Sequence, residues 1–230
     1  MCFSAEASFI GAGALAIIGT ATLKTSHNTK NLLWMCIPLL FAVQQFCEGV
    51  VWLELRGTIP HSVFTVFAKD LYLFFALALW LIWFPLSFMV AEPIPLRKKV
   101  LKLVLFFGFF AAVVNLSLYP ILDLTPTINK FSINYLKEAS LDKRLCYLAI
   151  IAFPPFISSL KYMKVFGVLI ILSAVVAEYF YVSTFTSVWC FLGSFISAAL
   201  YLISRANTSK VQNVQELKTV ESVNENIIHK

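Results

Sequence analysis

The stretch LLFAVQQFCEGVVWL, Leu39 to Leu53, is apolar enough to lie in a membrane, yet it carries Gln44, Gln45 and Glu48 in its middle. A charged side chain at the centre of a membrane span costs about 2.5 to 3.5 kcal/mol on insertion scales, so such residues normally face the interior of a helix bundle or water. The stretch therefore predicts a membrane helix whose polar face is turned away from lipid.

The composition of the whole chain agrees with a membrane location. Of 230 residues, 60% are hydrophobic and 15% aromatic, whereas only 13% are charged, and the mean hydropathy is +0.82. Soluble domains average about 25% charged residues. The start, MCFSAEASF, has no basic region before its apolar run, which argues against a cleaved signal peptide. We therefore expect a multi-pass protein of the cell membrane, which is the inner membrane if the source is bacterial.

Seven apolar stretches predict an all-α fold with seven transmembrane helices over residues 1–204, because one crossing needs about 20 apolar residues. The fifth stretch is the shortest and contains Pro154 and Pro155, which interrupt helical hydrogen bonds. The third is longer than one crossing requires, which predicts tilt or a kink near Pro85. The predicted spans are about Ala5 to Leu23, Leu33 to Leu55, Ser62 to Ala91, Val100 to Tyr119, Leu145 to Leu160, Val165 to Phe185 and Ser187 to Ser204.

The orientation follows from the lysines and arginines, which are more frequent in cytoplasmic loops. The first, third and fifth loops and the start of the tail carry most of them, whereas the second loop has only Arg56 and the sixth has none. This places the N-terminus outside and the C-terminus in the cytoplasm. Residues 205–230 form a polar tail, either disordered or a short surface helix. The residues that set the orientation are Lys24, Lys30, Arg97, Lys98, Lys99, Lys102, Lys161, Lys164, Arg205 and Lys210.

With this orientation, Glu48, Asp70 and Glu178 lie at a similar depth below the outer surface, on three different helices. Gln44 and Glu48 share a helical face, with Gln45 beside it. We interpret these residues, together with Asn115, as the lining of an outward-facing acidic chamber for a cation, a proton or a small polar ligand. Carboxylate and amide oxygens suit a hard cation such as Na⁺, Ca²⁺ or Mg²⁺.

Several familiar chemistries have no support in the sequence. The seventh span contains no lysine to anchor retinal, and the histidines, at positions 27, 61 and 229, do not meet at one depth for haem ligation. The basic residues are dispersed over the span ends, which is a sign of membrane topology and not of nucleic-acid binding. The expected partners are the lipid bilayer and either a cytoplasmic protein or a second copy of the chain.

A metal site with mixed ligands stays open, because Cys2, Glu6, His61 and Cys190 are all predicted near the outer surface. These four residues match no recognised ligand spacing. The alternatives for Cys190 are a small buried apolar residue or a disulfide to Cys2 or Cys146.

Several motifs resemble those of an uncharacterised, mainly bacterial family of multi-pass membrane proteins, known as a family of unknown function. They are the opening MCFSAEASF, the second-helix sequence PLLFAVQQFCEGVVWL from Pro38 to Leu53, and the closing FGVLIIL and SVWCF. The resemblance covers Met1 to about Ser204. It implies membership of a family and no particular activity.

Three functions are compatible with these observations. The first is a non-enzymatic binding or transport protein that uses the outer acidic chamber. The second is a sensor or assembly partner whose buried polar residues only hold helices together. The third is a membrane-embedded hydrolase or transferase that uses the same acids. The absence of a recognised catalytic motif favours a non-enzymatic role.

Overall fold

The structure, a computed structural model, describes residues 4–25, 28–120, 124–129, 132–135 and 141–207. The described helices are α1 (Ala5–Lys24), α2 (Leu32–Met35), α3 (Ile37–Leu55), α4 (Val63–Phe74), α5 (Trp80–Ala91), α6 (Pro95–Leu118), α7 (Leu141–Ile157), α8 (Met163–Phe180) and α9 (Phe185–Ser197). A π-helical segment, Phe75–Leu79, joins the helices α4 and α5. After α9, the chain is helical again over residues 199–207.

Among the described residues, six helical stretches are long and apolar enough to cross a membrane. Each overlaps one of the predicted spans. The fifth predicted span corresponds to α7, which has 17 residues and begins with the polar run Asp142, Lys143 and Arg144. The six stretches are Ala5–Lys24, Thr29–Leu55, Val63–Ala91, Pro95–Leu118, Met163–Phe180 and Val182–Asn207.

The apolar surface of α6 is typical of a helix that faces lipid. Phe106, Phe107, Phe109 and Phe110 are each more than half exposed. Large exposed apolar surfaces are rare on soluble monomers. The distribution of exposed residues therefore agrees with the composition in indicating a membrane protein.

Helices α1 and α3 pack closely through glycines. A Cβ added at Gly49 of α3 would lie 2.7 Å from the Phe9 ring, and one at Gly19 of α1 would lie 2.6 Å from the Leu39 side chain. Glycine at both crossing points lets the two helices approach, as is common between membrane helices. Because Gly49 follows Glu48 directly, this contact fixes how α3 is rotated and keeps Glu48 inside the protein.

The third span is irregular at Phe75–Leu79, where the helix is π-helical, and α5 continues through Pro85. Pro85 has no N–H to donate to the carbonyl of Leu81, four residues earlier. Gly108 of α6 lies against that carbonyl, because a Cβ at this glycine would be 2.1 Å from the Leu81 oxygen. The proline thus leaves a backbone oxygen that only a glycine of the neighbouring helix can approach so closely.

A small β-hairpin adds to the all-α fold that the sequence predicted. Its strands, β1 (Thr127–Asn129) and β2 (Ser132–Asn134), pair antiparallel with Ile128 opposite Ile133. Ile133 is fully buried and belongs to an apolar cluster that also contains Trp52 of α3. The hairpin therefore packs onto the ends of the helices.

Hydrogen bonds gather several turns at one end of the protein, which we call the basic end. Ser204 pairs with Thr25, which follows α1. Asn207 pairs through its side-chain amide with the backbone of Lys161 in the turn between α7 and α8. Ser159 of the same turn donates to Glu92 in the turn between α5 and α6.

The opposite end, which we call the hairpin end, contains the remaining described turns. Arg56, after α3, lies 3.4 Å from Glu6 at the start of α1. Asn129 of the hairpin donates to Ser183 in the turn between α8 and α9 at 3.1 Å. The basic end thus contains the turn between α1 and α2 and the turns after α5 and α7. The hairpin end contains the start of α1 and the turns after α3 and α8.

Candidate functional site

Glu48, one of the polar residues in the apolar run of α3, forms a hydrogen bond with a residue near the C-terminal end of the bundle. Ser187 in the first turn of α9 donates a 2.6 Å hydrogen bond from its hydroxyl to Oε1 of Glu48 on α3. Both side chains are fully buried. This bond joins two helices through a carboxylate, which in a low-dielectric interior is stronger than the same bond in water.

Gln44, one helical turn before Glu48, is held by α5. Its Oε1 accepts a 2.9 Å hydrogen bond from Nε1 of Trp80, and both residues are buried. Trp80 is the first residue of α5, directly after the π-helical segment. The π-helical segment therefore ends directly before the residue that binds Gln44, which agrees with the frequent occurrence of such segments at functional sites.

Cys190 lies where these side chains meet. It is buried, one turn after Ser187 on α9, and its thiol is close to Gln44, Glu48 and Tyr72. We call Gln44, Glu48, Tyr72, Ser187 and Cys190 the polar core. Four elements therefore contribute to it or bind it directly, namely α3, α4, α9 and, through Trp80, α5.

Gln45, beside the polar core in sequence, is the most unusual of the buried amides. It is fully buried, and neither its Oε1 nor its Nε2 has a hydrogen-bond partner among the described residues. Nε2 of Gln44 has no hydrogen-bond partner in the described part of the chain apart from the nearby Cys190 thiol. Leaving a buried polar group unsatisfied costs about 1 to 3 kcal/mol, so these amides have unused capacity to bind water or a ligand.

The hairpin end closes over the polar core. The ring of Tyr72 stacks on that of Tyr135 with centroids 4.5 Å apart, and both rings are buried. Ser132 of β2 donates a 2.8 Å hydrogen bond to Thr184, just before α9. Tyr135 and the hairpin therefore pack against α4 and the residues just before α9. That the polar residues line an outward-facing chamber stays a prediction.

Asp70 lies near the hairpin end with partners of its own. Its Oδ1 accepts a 2.5 Å hydrogen bond from the Tyr119 hydroxyl and lies 3.3 Å from Nζ of Lys69. This carboxylate fastens the end of α6 to α4.

Glu178 of α8 pairs with Arg144 of α7. The Nη2 of Arg144 lies 2.8 Å from Oε1 of Glu178, with the arginine side chain 13% exposed and the glutamate side chain 33% exposed. The three acids thus have different partners, namely Ser187 for Glu48, Tyr119 for Asp70 and Arg144 for Glu178. That the three acids act as one site stays a prediction.

Asn115 of α6 donates a hydrogen bond to the backbone of the π-helical segment Phe75–Leu79. Its Nδ2 donates a 2.9 Å hydrogen bond to the Leu77 carbonyl, and the Tyr147 hydroxyl donates a 2.6 Å bond to the Ala76 carbonyl. Both carbonyls belong to the π-helical segment. Side chains of α6 and α7 therefore satisfy backbone oxygens inside the bundle, which a membrane interior requires.

The four residues considered for a metal have different environments. Glu6 pairs with Arg56, Nδ1 of His61 lies 2.5 Å from Oε1 of Glu54 on an exposed surface, and Cys190 belongs to the polar core. Cys2 lies outside the described residues. Among the described residues, no group of three or more histidine, cysteine, aspartate or glutamate side chains could hold a metal ion. Cys146 and Cys190 are free thiols.

A cavity of about 40 Å³ lies beside the polar core, and its wall is aromatic. The polar groups in this wall are already used, since Trp189 Nε1 donates to Ser173 at 3.1 Å and Trp80 Nε1 donates to Gln44. The cavity therefore offers a mainly apolar wall to whatever enters it. The residues that line it are Phe41, Trp80, Phe84, Tyr147, Ile151, Phe166, Ile170, Ser173, Trp189, Cys190 and Gly193.

Sequence reasoning missed Ser187, Trp80 and Arg144 as parts of these arrangements. Ser187 and Glu48 are 139 positions apart. A serine is too small and too common to signal a site, and a tryptophan in an apolar run is usually only a packing residue. The signal available was the position of Ser187 one turn before Cys190 on the predicted last span, on the same helical face.

No curated protein and no solved structure matches the chain. A family model matches residues 1–215 of 230, a range that includes every described helix and both strands. This match agrees with the resemblance to a family of unknown function that the sequence suggested. The chain therefore belongs to the family described as a family of unknown function (DUF6629).

Proposed function

We propose that the chain is a multi-pass membrane protein that crosses the bilayer seven times, with α7 as the fifth crossing. The support comes from the turns at its two ends. The hairpin precedes α7 and lies at the hairpin end, whereas Ser159 follows α7 and bonds to Glu92 at the basic end. With 17 residues at 1.5 Å each, α7 is about 25 Å long, at the short limit for a span.

In this proposal the basic end is cytoplasmic. The described basic end carries nine lysines and arginines, and its only described acid is Glu92. Both features agree with the excess of positive charge on the cytoplasmic side of membrane proteins. The N-terminus and the hairpin then lie outside, and the polar core lies in the outer half of the bundle.

We further propose that the polar core binds a proton, a hard cation or a small polar ligand at Glu48. The observation that carries this proposal is a fully buried carboxylate that bonds across helices to Ser187. A carboxylate at this depth is stable when it is protonated or when a cation compensates its charge. The unsatisfied amide atoms of Gln44 and Gln45 add oxygen and nitrogen groups that a hydrated ion or polar ligand can use.

The proposal is tested by thermal unfolding of the purified protein with Na⁺, Ca²⁺, Mg²⁺ and Zn²⁺ over a range of pH. A bound ion raises the melting temperature by mass action. Glu48→Gln keeps the shape and removes the charge, so it should fold and lose the ligand-dependent shift. Glu54→Gln is the matched control, because Glu54 is on the same helix but pairs with His61 at the surface.

A second candidate function is a sensor or assembly partner whose buried polar residues only hold helices together. Hydrogen bonds from polar side chains to a different helix favour it. Trp80 to Gln44 and Asn115 to Leu77 both join helices without any ligand. If Glu48 only holds α3 to α9, Glu48→Gln should reduce the amount of folded protein, and the parent protein should show no dependence on pH or cations. Those two results together would replace the binding proposal with this one.

A further inference from the structure

The basic end has a strong excess of exposed positive charge. Lys99 and Lys102 at the start of α6 are exposed, as are Lys161 and Lys164 beside the turn between α7 and α8. None of these four side chains has a carboxylate partner among the ion pairs of the described residues. This end can therefore bind an anion without breaking an existing ion pair.

The one described carboxylate at the basic end is used for a different purpose. Glu92 is buried and accepts three hydrogen bonds, from Ile94 N at 3.1 Å, Ser159 N at 2.8 Å and Ser159 Oγ at 2.6 Å. These bonds fasten the turn before α6 to the turn between α7 and α8. The carboxylate thus brings two basic segments together, and its hydrogen bonds go to uncharged groups.

A second link adds the last helix to the same group. Asn207 accepts a 3.3 Å hydrogen bond from Lys161 N and donates a 3.4 Å bond to Lys161 O. Between these links, Tyr162 has a left-handed backbone, with φ of 65°. A bulky residue in that region is strained and persists only where its surroundings hold it, which indicates that this turn has one defined shape.

Exposed apolar side chains lie next to the basic ones. Leu96 is 72% exposed at the start of α6, and Val165 is 55% exposed at the start of α8. Tyr162 is also exposed, with Nζ of Lys161 4.6 Å from its ring centroid. Tyrosine next to lysine at the end of an apolar helix is typical of the interfacial region of a membrane.

We propose that the basic end binds the headgroup of an anionic phospholipid between the start of α6 and the turn that joins α7 to α8. The lysines of the two segments bind the phosphate, and Leu96 and Val165 contact the glycerol and upper acyl region. Each lysine or arginine near an anionic membrane surface contributes about 1 kcal/mol. The proposal concerns a different part of the molecule from Glu48 and does not depend on a ligand at the polar core.

The test compares melting temperatures of the purified protein in nanodiscs of phosphatidylcholine with and without phosphatidylglycerol. We expect phosphatidylglycerol to raise the melting temperature of the parent protein and added salt to reduce the rise. The double variant Lys99→Gln and Lys161→Gln should lose at least half of it. The matched control, Lys69→Gln with Lys143→Gln, removes two charges at the hairpin end and should retain it. An equal loss in both double variants would overturn the proposal.

Two further experiments distinguish a defined lipid site from general attraction between the basic end and an anionic membrane. Glu92→Gln removes a negative charge and replaces one of the two acceptor oxygens by an NH2 group, which weakens the link between the two turns. Bulk attraction alone would then increase the phosphatidylglycerol effect, whereas the weaker link should decrease it. An unchanged or larger effect would contradict the role of Glu92. Inorganic phosphate or glycerol phosphate, added to phosphatidylcholine nanodiscs, should give no comparable rise. An equal rise with either would mean that a free phosphate, and not a lipid, is the ligand.

Discussion

Ser187 donates a 2.6 Å hydrogen bond from its hydroxyl to Glu48 across the interface of α9 and α3, and both side chains are fully buried. The bond joins residues 139 positions apart. The bond therefore forms only when α9 has packed against α3, so its loss should affect the stability of the whole bundle.

Ser187→Ala should destabilise the protein by about 1 to 2 kcal/mol, because a buried carboxylate loses a donor. Ser194→Ala is the matched control, since Ser194 is buried on the same helix but donates only to the Phe191 carbonyl of its own helix. Unfolding of the two variants in mixed detergent measures the difference. Equal stability of both variants would show that the bond to Glu48 contributes nothing.

Gly108→Ala should be strongly destabilising, by about 1 to 3 kcal/mol or more, because the added methyl group would overlap the Leu81 carbonyl at 2.1 Å. A backbone carbonyl cannot move aside as the end of a flexible side chain can. Gly13→Ala on α1 is the control, since nothing lies within 4 Å of a Cβ there. The melting temperature of Gly13→Ala should equal or exceed that of the parent. Tolerance of Gly108→Ala would contradict this packing.

Hydropathy located the long apolar helices well, because apolar length is a property of each segment alone. It located their ends less well. α6 begins at Pro95, ahead of the predicted start at Val100, because proline suits the first turn of a helix and hydropathy does not detect a polar first turn such as that of Arg97 and Lys98. The hairpin was missed because strands as short as Thr127–Asn129 have no periodicity to detect.

The polar core was only partly predictable. Glu48 and Gln44 were found because polar residues in an apolar run are rare and costly. Their partners were not found, because Ser187 and Trp80 are ordinary residues in membrane helices. The sequence indicates how deep a residue lies in the bundle but not which helices are neighbours. Asp70 and Glu178 were therefore grouped with Glu48 by depth alone. In the structure Asp70 pairs with Tyr119, and Glu178 pairs with Arg144.

Tyr147→Phe should cost about 0.5 to 1.5 kcal/mol, because the Ala76 carbonyl of the π-helical segment would lose its donor. The matched control is Tyr179→Phe, since Tyr179 is 79% exposed. Unfolding measurements should show a loss only for Tyr147→Phe. A regular helix at Phe75–Leu79 would need no side-chain donor, and in that case both variants would match the parent.

The seven-crossing arrangement is tested with reporters that are active only in the cytoplasm. Fusions after Ser204 and within the turn at Ser159 should be active, whereas fusions between Arg56 and His61 and after Asn134 should be inactive. The fusions at Asn134 and Ser159 flank α7 and decide whether it crosses. Equal activity at these two positions would reduce the count to six, and reversal at most positions would invert the orientation.

Glu48 as a binding residue is tested most directly by infrared difference spectroscopy of the purified protein. Spectra are compared between acid and alkaline pH, and with and without the cation that stabilises the protein most. We expect a carboxyl signal that changes with pH or with the cation, that persists in Glu54→Gln and that is absent from Glu48→Gln. Identical difference spectra for the parent and a folded Glu48→Gln protein under all of these conditions would contradict the account.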